Sequence, residues 1–355
     1  MRFIHMADMH FDSPFRLLST QENFGDQRRI EQRSVMKKII EKIKEENIPY
    51  LFIAGDLYEN EYIRKTTIEY INNLFKEIPK TKIFIAPGNH DPLLKNSYYN
   101  NFNWNENVYI FNSEIQKYEF EECDIYGFGF TDFYCNNSKI EEIKIENKNK
   151  LNILIMHGDL NASQNQEMQY NPINENKLKK LGFDYVALGH IHKRDIKENI
   201  AYPGSCVSLG FDELGEHGIL NVNLEKGKLE INFEKIDEKE FAEINLDISE
   251  INSEEELIEK INTIDLDENK FYKIILIGNK KIEINKNKII KIINKKNILK
   301  IKDLSKIELD LNKIKEENNL KSFFIKEVLE MQKENNYTDE EIENAIQIGL
   351  QAIQN

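Results

Sequence analysis

Five short motifs in the first 192 residues of this chain combine histidine, aspartate and asparagine, which are residue types that bind divalent metal ions. In chain order they are Asp8-x-His10, Gly55-Asp56, Gly88-Asn89-His90-Asp91, His157-Gly158-Asp159 and Gly189-His190-Ile191-His192. Carboxylate, imidazole and amide oxygen together suit Mn²⁺, Fe²⁺ or Zn²⁺, whereas a structural zinc site normally includes cysteine thiolates. The motifs therefore predict a catalytic metal centre.

The spacing within the motifs predicts that their side chains act together. The two ligands in Asp8-x-His10 are two positions apart, so both lie on one side of an extended segment, and the last motif repeats this spacing. A single aspartate such as Asp56 can bridge two cations about 3.5–4 Å apart, the separation used in two-metal hydrolysis. We interpret the two histidines outside the motifs, His5 and His217, as structural.

Each motif follows an apolar run that is typical of a buried strand. The predicted strands cover residues 2–6, 50–54, 82–86, 151–156 and 185–188, with helices over 26–47 and 63–75 between the first three. This βαβαβ order predicts parallel strands. Because ligands bind at the carboxyl ends of strands in such sheets, the five motifs are expected to meet in one cleft.

The pattern changes twice along the chain. After Asp91 the apolar runs become shorter, which favours antiparallel strands, and a hairpin is expected near residues 218–233. Two facing sheets with helices outside would fit this first part. Beyond about Lys235 the composition shifts to lysine, glutamate, asparagine and isoleucine, and Thr338-Asp339-Glu340-Glu341 predicts a capping box that opens a final helix. The apolar stripe of that helix would pack on the core or on a partner.

The ordered motif series resembles the calcineurin-like metallophosphoesterase family over about residues 1–235. Within that family, the opening stretch from Phe3 to Phe15 and the later Tyr202-Pro203-Gly204-Ser205 are similar to SbcD- and YhaO-type bacterial DNA repair exonucleases. The resemblance implies an α/β fold with a four-layer α-β-β-α sandwich core at residues 1–235. A small α+β capping domain at 236–312 and a helical C-terminal tail at 313–355 would follow.

The resemblance also implies roles for individual residues. One metal would be held by Asp8, His10, Asp56 and His192, and a second by Asp56, Asn89, His157 and His190. His90 would contact the substrate phosphate and protonate the leaving oxygen, with Asp91 beside it to orient the imidazole. The expected cofactors are two divalent ions, with Mn²⁺ first and Fe²⁺ or Zn²⁺ as alternatives.

These assignments predict a two-metal phosphodiesterase that acts on DNA as an exonuclease or endonuclease in repair. An SMC-like ATPase is the expected partner, and a homodimer is a further expectation from the resemblance. The alternatives are hydrolysis of a small phosphodiester, a cyclic nucleotide or a phosphoprotein, and a non-enzymatic scaffold. The stretch Gly55-Asp56-Leu57-Tyr58-Glu59 lacks the Asp-Arg-Gly continuation of Ser/Thr protein phosphatases, which disfavours a phosphoprotein substrate.

Composition bounds the class of protein. The net charge is -14, which argues against a protein that coats nucleic acid by bulk attraction. Residues 270–302 nevertheless hold eleven lysines and one acid, Glu283, and form either a solvated basic face or a phosphate contact. No apolar run approaches the roughly 20 residues of a membrane span. With three cysteines and no CxxC pair, a soluble cytoplasmic protein without a membrane partner is expected.

Overall fold

The computed structural model describes residues 1–15, 24–162, 168–307, 319–334 and 337–354. The chain divides into two units, Met1–Phe241 and Ala242–Asn355. The predicted boundary between residues 312 and 313 falls outside the described ranges, and the predicted domain limits stay predictions. Among the described residues, none of the helices has both the length and the apolar character needed to cross a lipid bilayer.

The first unit contains two six-stranded sheets and four α-helices among its described residues. Its strands are β1 (Arg2–Met6), β2 (Tyr50–Ile53), β3 (Lys82–Ile85), β4 (Val108–Ile110), β5 (Gln116–Glu119), β6 (Cys123–Gly127), β7 (Leu151–His157), β8 (Tyr185–Gly189), β9 (Asp195–Lys197), β10 (Ile200–Tyr202), β11 (Gly218–Glu225) and β12 (Lys228–Lys235). Its helices are α1 (Phe24–Glu46), α2 (Lys65–Lys76), α3 (Tyr98–Asn101) and α4 (Glu175–Leu181).

One sheet has the order β12-β11-β1-β2-β3-β4 and the other β5-β6-β7-β8-β10-β9. Strands β1 to β4 pair in parallel, as the βαβαβ pattern predicts, and β11 and β12 form the expected antiparallel hairpin. The expectation of antiparallel strands after Asp91 is wrong for the centre of the second sheet. There β6, β7 and β8 are parallel, and only the edge pairings β5–β6 and β9–β10 are antiparallel.

Each sheet is covered on both sides, so successive side chains of a central strand pack into two different apolar cores. In β1, Ile4 and Met6 pack with the apolar face of α1 and α2, while Phe3 packs into the core between the sheets. The far face of the second sheet packs on Leu178 of α4 and on Ile140. The layers therefore run helix, sheet, sheet, helix, and the predicted four-layer α-β-β-α core is confirmed.

The second unit is a smaller α+β structure. Its elements are β13 (Glu240–Asp247, which begins in the first unit), β14 (Lys270–Ile277), β15 (Asn279–Lys280), β16 (Ile298–Asp303), β17 (Lys306–Ile307), α5 (Glu254–Thr263), α6 (Lys286–Ile292), α7 (Leu320–Glu334) and α8 (Asp339–Gln354). Strands β13, β14 and β16 form one sheet, and apolar residues of α5 and α6 pack with it in one core.

Helices α7 and α8 pack on each other through their apolar stripes. Ile342, Ile346 and Leu350 of α8 are buried in one cluster with Ile325 and Val328 of α7. The predicted capping box is present, since the Glu341 backbone N–H donates to the Thr338 hydroxyl at 3.2 Å and the Thr338 N–H donates to the Glu341 carboxylate at 2.8 Å. The stripe of the final helix is thus covered by its neighbouring helix.

Candidate metal centre

The backbone bends sharply where the motifs that are predicted to bind metal leave their strands. Asp8, His10 and Asp56 have φ values of 51°, 50° and 52°, and His190 has a φ of 107°. Non-glycine residues adopt such values at a cost of about 1–3 kcal/mol each, and the surrounding structure must hold them there. Strain concentrated on four predicted ligands indicates a site where geometry has been favoured over stability.

Backbone hydrogen bonds lock these bends together. The Asp8 N–H donates to the Gly55 carbonyl at 3.1 Å, and the His10 N–H donates to the Asp56 carbonyl at 2.9 Å. Gly55 has a φ of 91°, and a Cβ there would overlap the ring of His157. The loops after β1 and β2 therefore form one frame, into which the His157 ring inserts from the second sheet.

The imidazole rings of His10 and His192 face each other through their Nε2 atoms. The Nδ1–H of His10 donates to Glu59 at 2.8 Å, and Nδ1 of His192 lies 3.0 Å from Glu213. With Nδ1 of each ring donating to a carboxylate, each neutral ring presents a lone pair at Nε2, and the two Nε2 atoms are 3.1 Å apart. Two acceptors at that distance repel each other unless a proton or a cation lies between them.

The same arrangement recurs around His157. Its Nδ1–H donates to the Ala54 carbonyl at 2.9 Å, so the neutral ring presents a lone pair at Nε2. That Nε2 lies 2.9 Å from Oδ1 of Asn89 and 3.2 Å from Oδ2 of Asp56. Three acceptor atoms thus converge on one point.

Protonation partly compensates for this convergence. Burial lowers the pKa of His157, but Asp56 and Asp8 outweigh burial and raise the pKa to about 9. Burial likewise lowers the pKa of His192, and Glu213 and Asp8 raise it to about 9. The buried carboxylates therefore attract positive charge to this place.

These residues fit divalent cations. Three groups have their ligand atoms within 4.8 Å of one another: Asp8, His10 and His192; His10, Asp56 and His90; and Asp8, Asp56 and His157. Asp8, His10 and Asp56 each belong to two of the groups, so the three groups form one continuous cluster that includes the aspartate predicted to bridge two cations. Two divalent cations bound here would supply Lewis acidity for phosphoester hydrolysis and lower the pKa of water. Carboxylates on the far side of the histidine ligands are a common second shell of such sites.

His190 also lies in this cluster. Its backbone N–H donates to both Asp8 oxygens at 3.1 Å. Its ring centroid lies 5.2 Å from that of His157 and 4.9 Å from that of Tyr170. Burial and the charge of His157 lower the pKa of His190 to about 3, so the ring is a neutral donor of a lone pair. All seven predicted ligands are thus brought to one place, and their roles as ligands stay predictions.

His90 stands at the exposed edge of the cluster, with 46% of its side chain accessible. Its backbone N–H donates to Asp56 at 2.8 Å, and its Nδ1 lies 2.9 Å from Glu59. Burial lowers the pKa of His90, but Glu59 and Asp56 raise it to about 9. His90 is therefore an imidazolium at neutral pH, held by a carboxylate that also holds His10.

Asp91 lies elsewhere than expected. It is fully buried and accepts hydrogen bonds from the backbone N–H groups of Leu57 at 2.7 Å and Gly88 at 2.6 Å, and from the Tyr99 hydroxyl at 2.6 Å. The structure thus differs from the prediction that Asp91 orients His90, because its oxygens are turned inward to the loops. Asp91 fixes the backbone that carries Asp56.

Two glutamates of the site, Glu59 and Glu213, were not predicted from the sequence. Glu59 follows Asp56 by three residues, and its position beside a ligand motif was the available signal. Glu213 bonds His192, the Ser205 hydroxyl at 2.7 Å and the Leu209 N–H at 2.6 Å. Nothing in the local pattern around Glu213 indicates that role.

Comparisons of the sequence with known proteins bear on the family of this chain. Residues 1–194 match the calcineurin-like phosphoesterase family. The chain is 27% identical over 266 residues to the uncharacterized metallophosphoesterase YhaO of Bacillus subtilis (strain 168), a match that covers 70% of this chain and 64% of that protein. It thus spans less than two thirds of that relative's length.

Among solved structures, TT1561 of Thermus thermophilus is similar with a TM-score of 0.38 and 11% identity, over 65% of this chain and 98% of that one. The family match extends over more than half of the chain and includes every motif of the metal centre. The chain therefore belongs to the calcineurin-like phosphoesterase family, whose members are metal-dependent phosphoester hydrolases.

Proposed function

We propose that this protein is a two-metal-dependent phosphodiesterase that acts on DNA, as an exonuclease or endonuclease in DNA repair. The observation that carries the proposal is a buried cluster in which Asp8, His10, Asp56, His157 and His192 bring their ligand atoms together. Asn89 and His190 lie against this cluster, and the His90 imidazolium stands at its exposed edge. A phosphodiester is a fitting substrate because its cleavage releases a sugar oxygen, a poor leaving group that needs a proton donor.

The residues divide this work between them. Glu59 accepts the Nδ1–H of His90 and so leaves the Nε2–H of the imidazolium for the leaving oxygen. Asp91 holds the backbone of Leu57 and Gly88, which keeps Asp56 at its bend. Asn171 is fully buried and donates from its side-chain amide to the His157 carbonyl at 2.7 Å, which fixes the end of β7.

DNA as the substrate rests on the subgroup-like segments of the sequence. One of them, Tyr202-Pro203-Gly204-Ser205, lies against the metal centre. The Ser205 N–H donates to the His192 carbonyl at 3.0 Å, and the Ser205 hydroxyl donates to Glu213. Ser205, in a segment that resembles DNA repair exonucleases, thus holds the predicted ligand His192 in place through hydrogen bonds.

A small phosphodiester is the second candidate substrate. The net charge of -14 favours it, because a polyanion must approach an acidic protein. Salt separates the two candidates: cleavage of DNA through lysine–phosphate contacts should weaken steeply as salt rises, whereas cleavage of a small diester should respond weakly.

The test is hydrolysis of a chromogenic diester and of end-labelled single- and double-stranded DNA with Mn²⁺, with Mg²⁺ and with chelator. Replacing His90 by alanine should lower kcat on DNA by about 10²–10⁴-fold, with metal affinity largely retained. Glu69→Gln on the exposed face of α2 is the control. Metal-dependent DNA cleavage that His90→Ala leaves intact would contradict the assignment, and cleavage of the chromogenic diester alone would favour the second candidate.

We further propose an SMC-like ATPase as partner, with a homodimer as the assembly. The helix pair of the second unit supports a partner, because Leu320, Phe323 and Ile348 are 68%, 61% and 68% exposed. Phe323→Asp should abolish co-purification with the ATPase, whereas Ile30→Asp, at an equally exposed residue of α1, should retain it. Co-purification that survives Phe323→Asp would exclude this surface.

A further inference from the structure

An open cavity of about 350 Å³ lies beside His90 in the first unit. Its lining includes Tyr62 and Phe133, together with Glu59, Glu61 and His90. His90 is the residue expected to protonate the leaving oxygen, so this cavity is where the group attached to that oxygen would lie.

The wall of the cavity is fixed to the site. The Asn60 N–H donates to the His90 carbonyl at 2.9 Å, and the Tyr62 N–H donates to the Glu59 carbonyl at 3.0 Å. Tyr62 is 40% exposed, and Phe133 is partly exposed. Two aromatic side chains thus line the cavity beside the proton donor, and the backbone that carries Tyr62 is hydrogen-bonded to His90 through Asn60.

The charge of the lining argues against a second phosphate. Two glutamates and one histidine are the described lining side chains that can carry charge near neutral pH, and neither lysine nor arginine occurs among the described residues that line the cavity. A phosphate in this cavity would meet carboxylates without a permanent cation to neutralise it. A neutral planar group would instead meet two aromatic side chains, a residue type on which nucleobases stack favourably.

We propose that this cavity binds the base of the leaving nucleoside, with Tyr62 and Phe133 contacting the base. The inference rests on the proposed phosphodiesterase function and adds to it a subsite for the group that departs. It assigns the recognition of that group to stacking, which tolerates any base, rather than to hydrogen bonds with base edges.

The test uses a dinucleoside monophosphate and two analogues, each of which lacks one of the two bases. Loss of the base on the leaving side should lower kcat/KM by about tenfold or more, and loss of the other base should not. Tyr62→Ala should remove this difference, and Tyr62→Phe should retain it. Tyr337→Ala, at a tyrosine of the second unit that is 47% exposed, is the matched control.

A binding measurement separates the subsite from the reaction. In chelator, 2-aminopurine deoxyriboside should lose fluorescence on binding to the wild type and to Tyr62→Phe, and much less on Tyr62→Ala. If no diester is hydrolysed with any metal, the proposed function fails, and binding of the nucleoside still decides the subsite. Equal hydrolysis of all three diesters, or nucleoside binding that Tyr62→Ala leaves unchanged, would overturn the subsite alone.

Discussion

The first unit of this protein has a buried cluster of charged groups in addition to its surface ion pairs, whereas the described ion pairs of the second unit lie at or near its surface. In the first unit, Asp8, Asp56 and His157 are at most 1% exposed and lie among other acceptor atoms. In the second unit, acids and lysines pair at or near the surface, as in the 2.8 Å contact between Lys280 and Asp303. The buried acids of the first unit need a further positive charge to balance them. In the Lys280–Asp303 pair of the second unit, each charge is already balanced by its partner.

The backbone shows the same contrast. Four predicted ligands of the first unit have positive φ values, whereas Gly278 is the only described residue of the second unit with one. Burial of unbalanced charge and a strained backbone both cost free energy of folding. Both features coincide in the first unit, where they fit the binding of a cation, whereas the Lys280–Asp303 pair of the second unit already balances its own charges.

Removing the carboxylate that is predicted to bridge the two cations should have the largest effect on this contrast. At a Mn²⁺ concentration 100 times the dissociation constant, bound metal stabilises the folded state by about 2.7 kcal/mol. For a unit of this size that corresponds to a rise in Tm of about 5–10 °C. Asp56→Asn should abolish the rise, because Asp56 contributes to two of the three ligand groups. Thermal unfolding with Mn²⁺ and with chelator measures the metal-dependent rise in Tm.

The matched control for Asp56→Asn is Asp303→Asn. It also replaces an aspartate of an ion pair by its amide, but in the second unit, and should keep the full metal response. A Mn²⁺-dependent rise that survives in Asp56→Asn would mean that the buried acids are balanced within the protein, and the contrast between the units would disappear.

A smaller effect is expected from Glu59, which is not a predicted ligand but contacts one, His10. Its two oxygens accept from His10 at 2.8 Å and from His90 at 2.9 Å, and an amide can accept from only one of the two rings. Glu59→Gln should therefore weaken Mn²⁺ binding by about 10–100-fold, as loss of a second-shell partner does. Isothermal titration calorimetry of the metal measures this affinity directly.

Glu69→Gln provides the control for Glu59→Gln, since Glu69 is a half-exposed glutamate of α2 whose partner is Lys65. It should bind Mn²⁺ as the wild type does. Equal affinities for all three proteins would show that Glu59 does not position His10, and the strained loops alone would then account for the geometry.

The positions of the ligand motifs could be predicted because each motif directly follows a strand that identifies itself by its apolar residues. The contacts of Glu59 and Glu213 could not be predicted from the sequence, because they depend on bends in the loops such as the φ of 52° at Asp56. Asp91 was expected to orient His90 because the two are adjacent in sequence. Adjacent side chains tend to point in different directions, and here one turns inward and the other outward.

The layers of the fold could also be predicted from the apolar strands. The parallel direction of the central strands in the second sheet could not. The connection from β6 to β7 contains a single 3₁₀ turn at Ile140–Glu142 rather than a crossover helix. The usual sign of a parallel pair is therefore missing from the sequence. Strand direction there is set by contacts between residues far apart in the chain.

The smallest expected effect is the pH dependence of the ion pair between Lys280 and Asp303. Burial raises the pKa of Asp303, but Lys280 and Ser305 together outweigh burial and hold the pKa below its ordinary value of 3.8. A carboxyl with a lowered pKa in the folded state stabilises that state above its unfolded pKa, and the stabilisation is lost as pH falls through the folded value. The pair should contribute about 1 kcal/mol or less at neutral pH.

Thermal unfolding of Asp303→Asn beside the wild type, at a series of pH values, measures this contribution. The difference in Tm should be constant above about pH 5 and should shrink steadily below about pH 4, because the wild-type carboxyl then becomes neutral like the amide. A difference that persists unchanged in acid would assign the stabilisation to packing and to the Ser305 hydrogen bond of 2.9 Å rather than to charge. The second unit would then owe its stability to neutral contacts, and its paired charges would serve solubility alone.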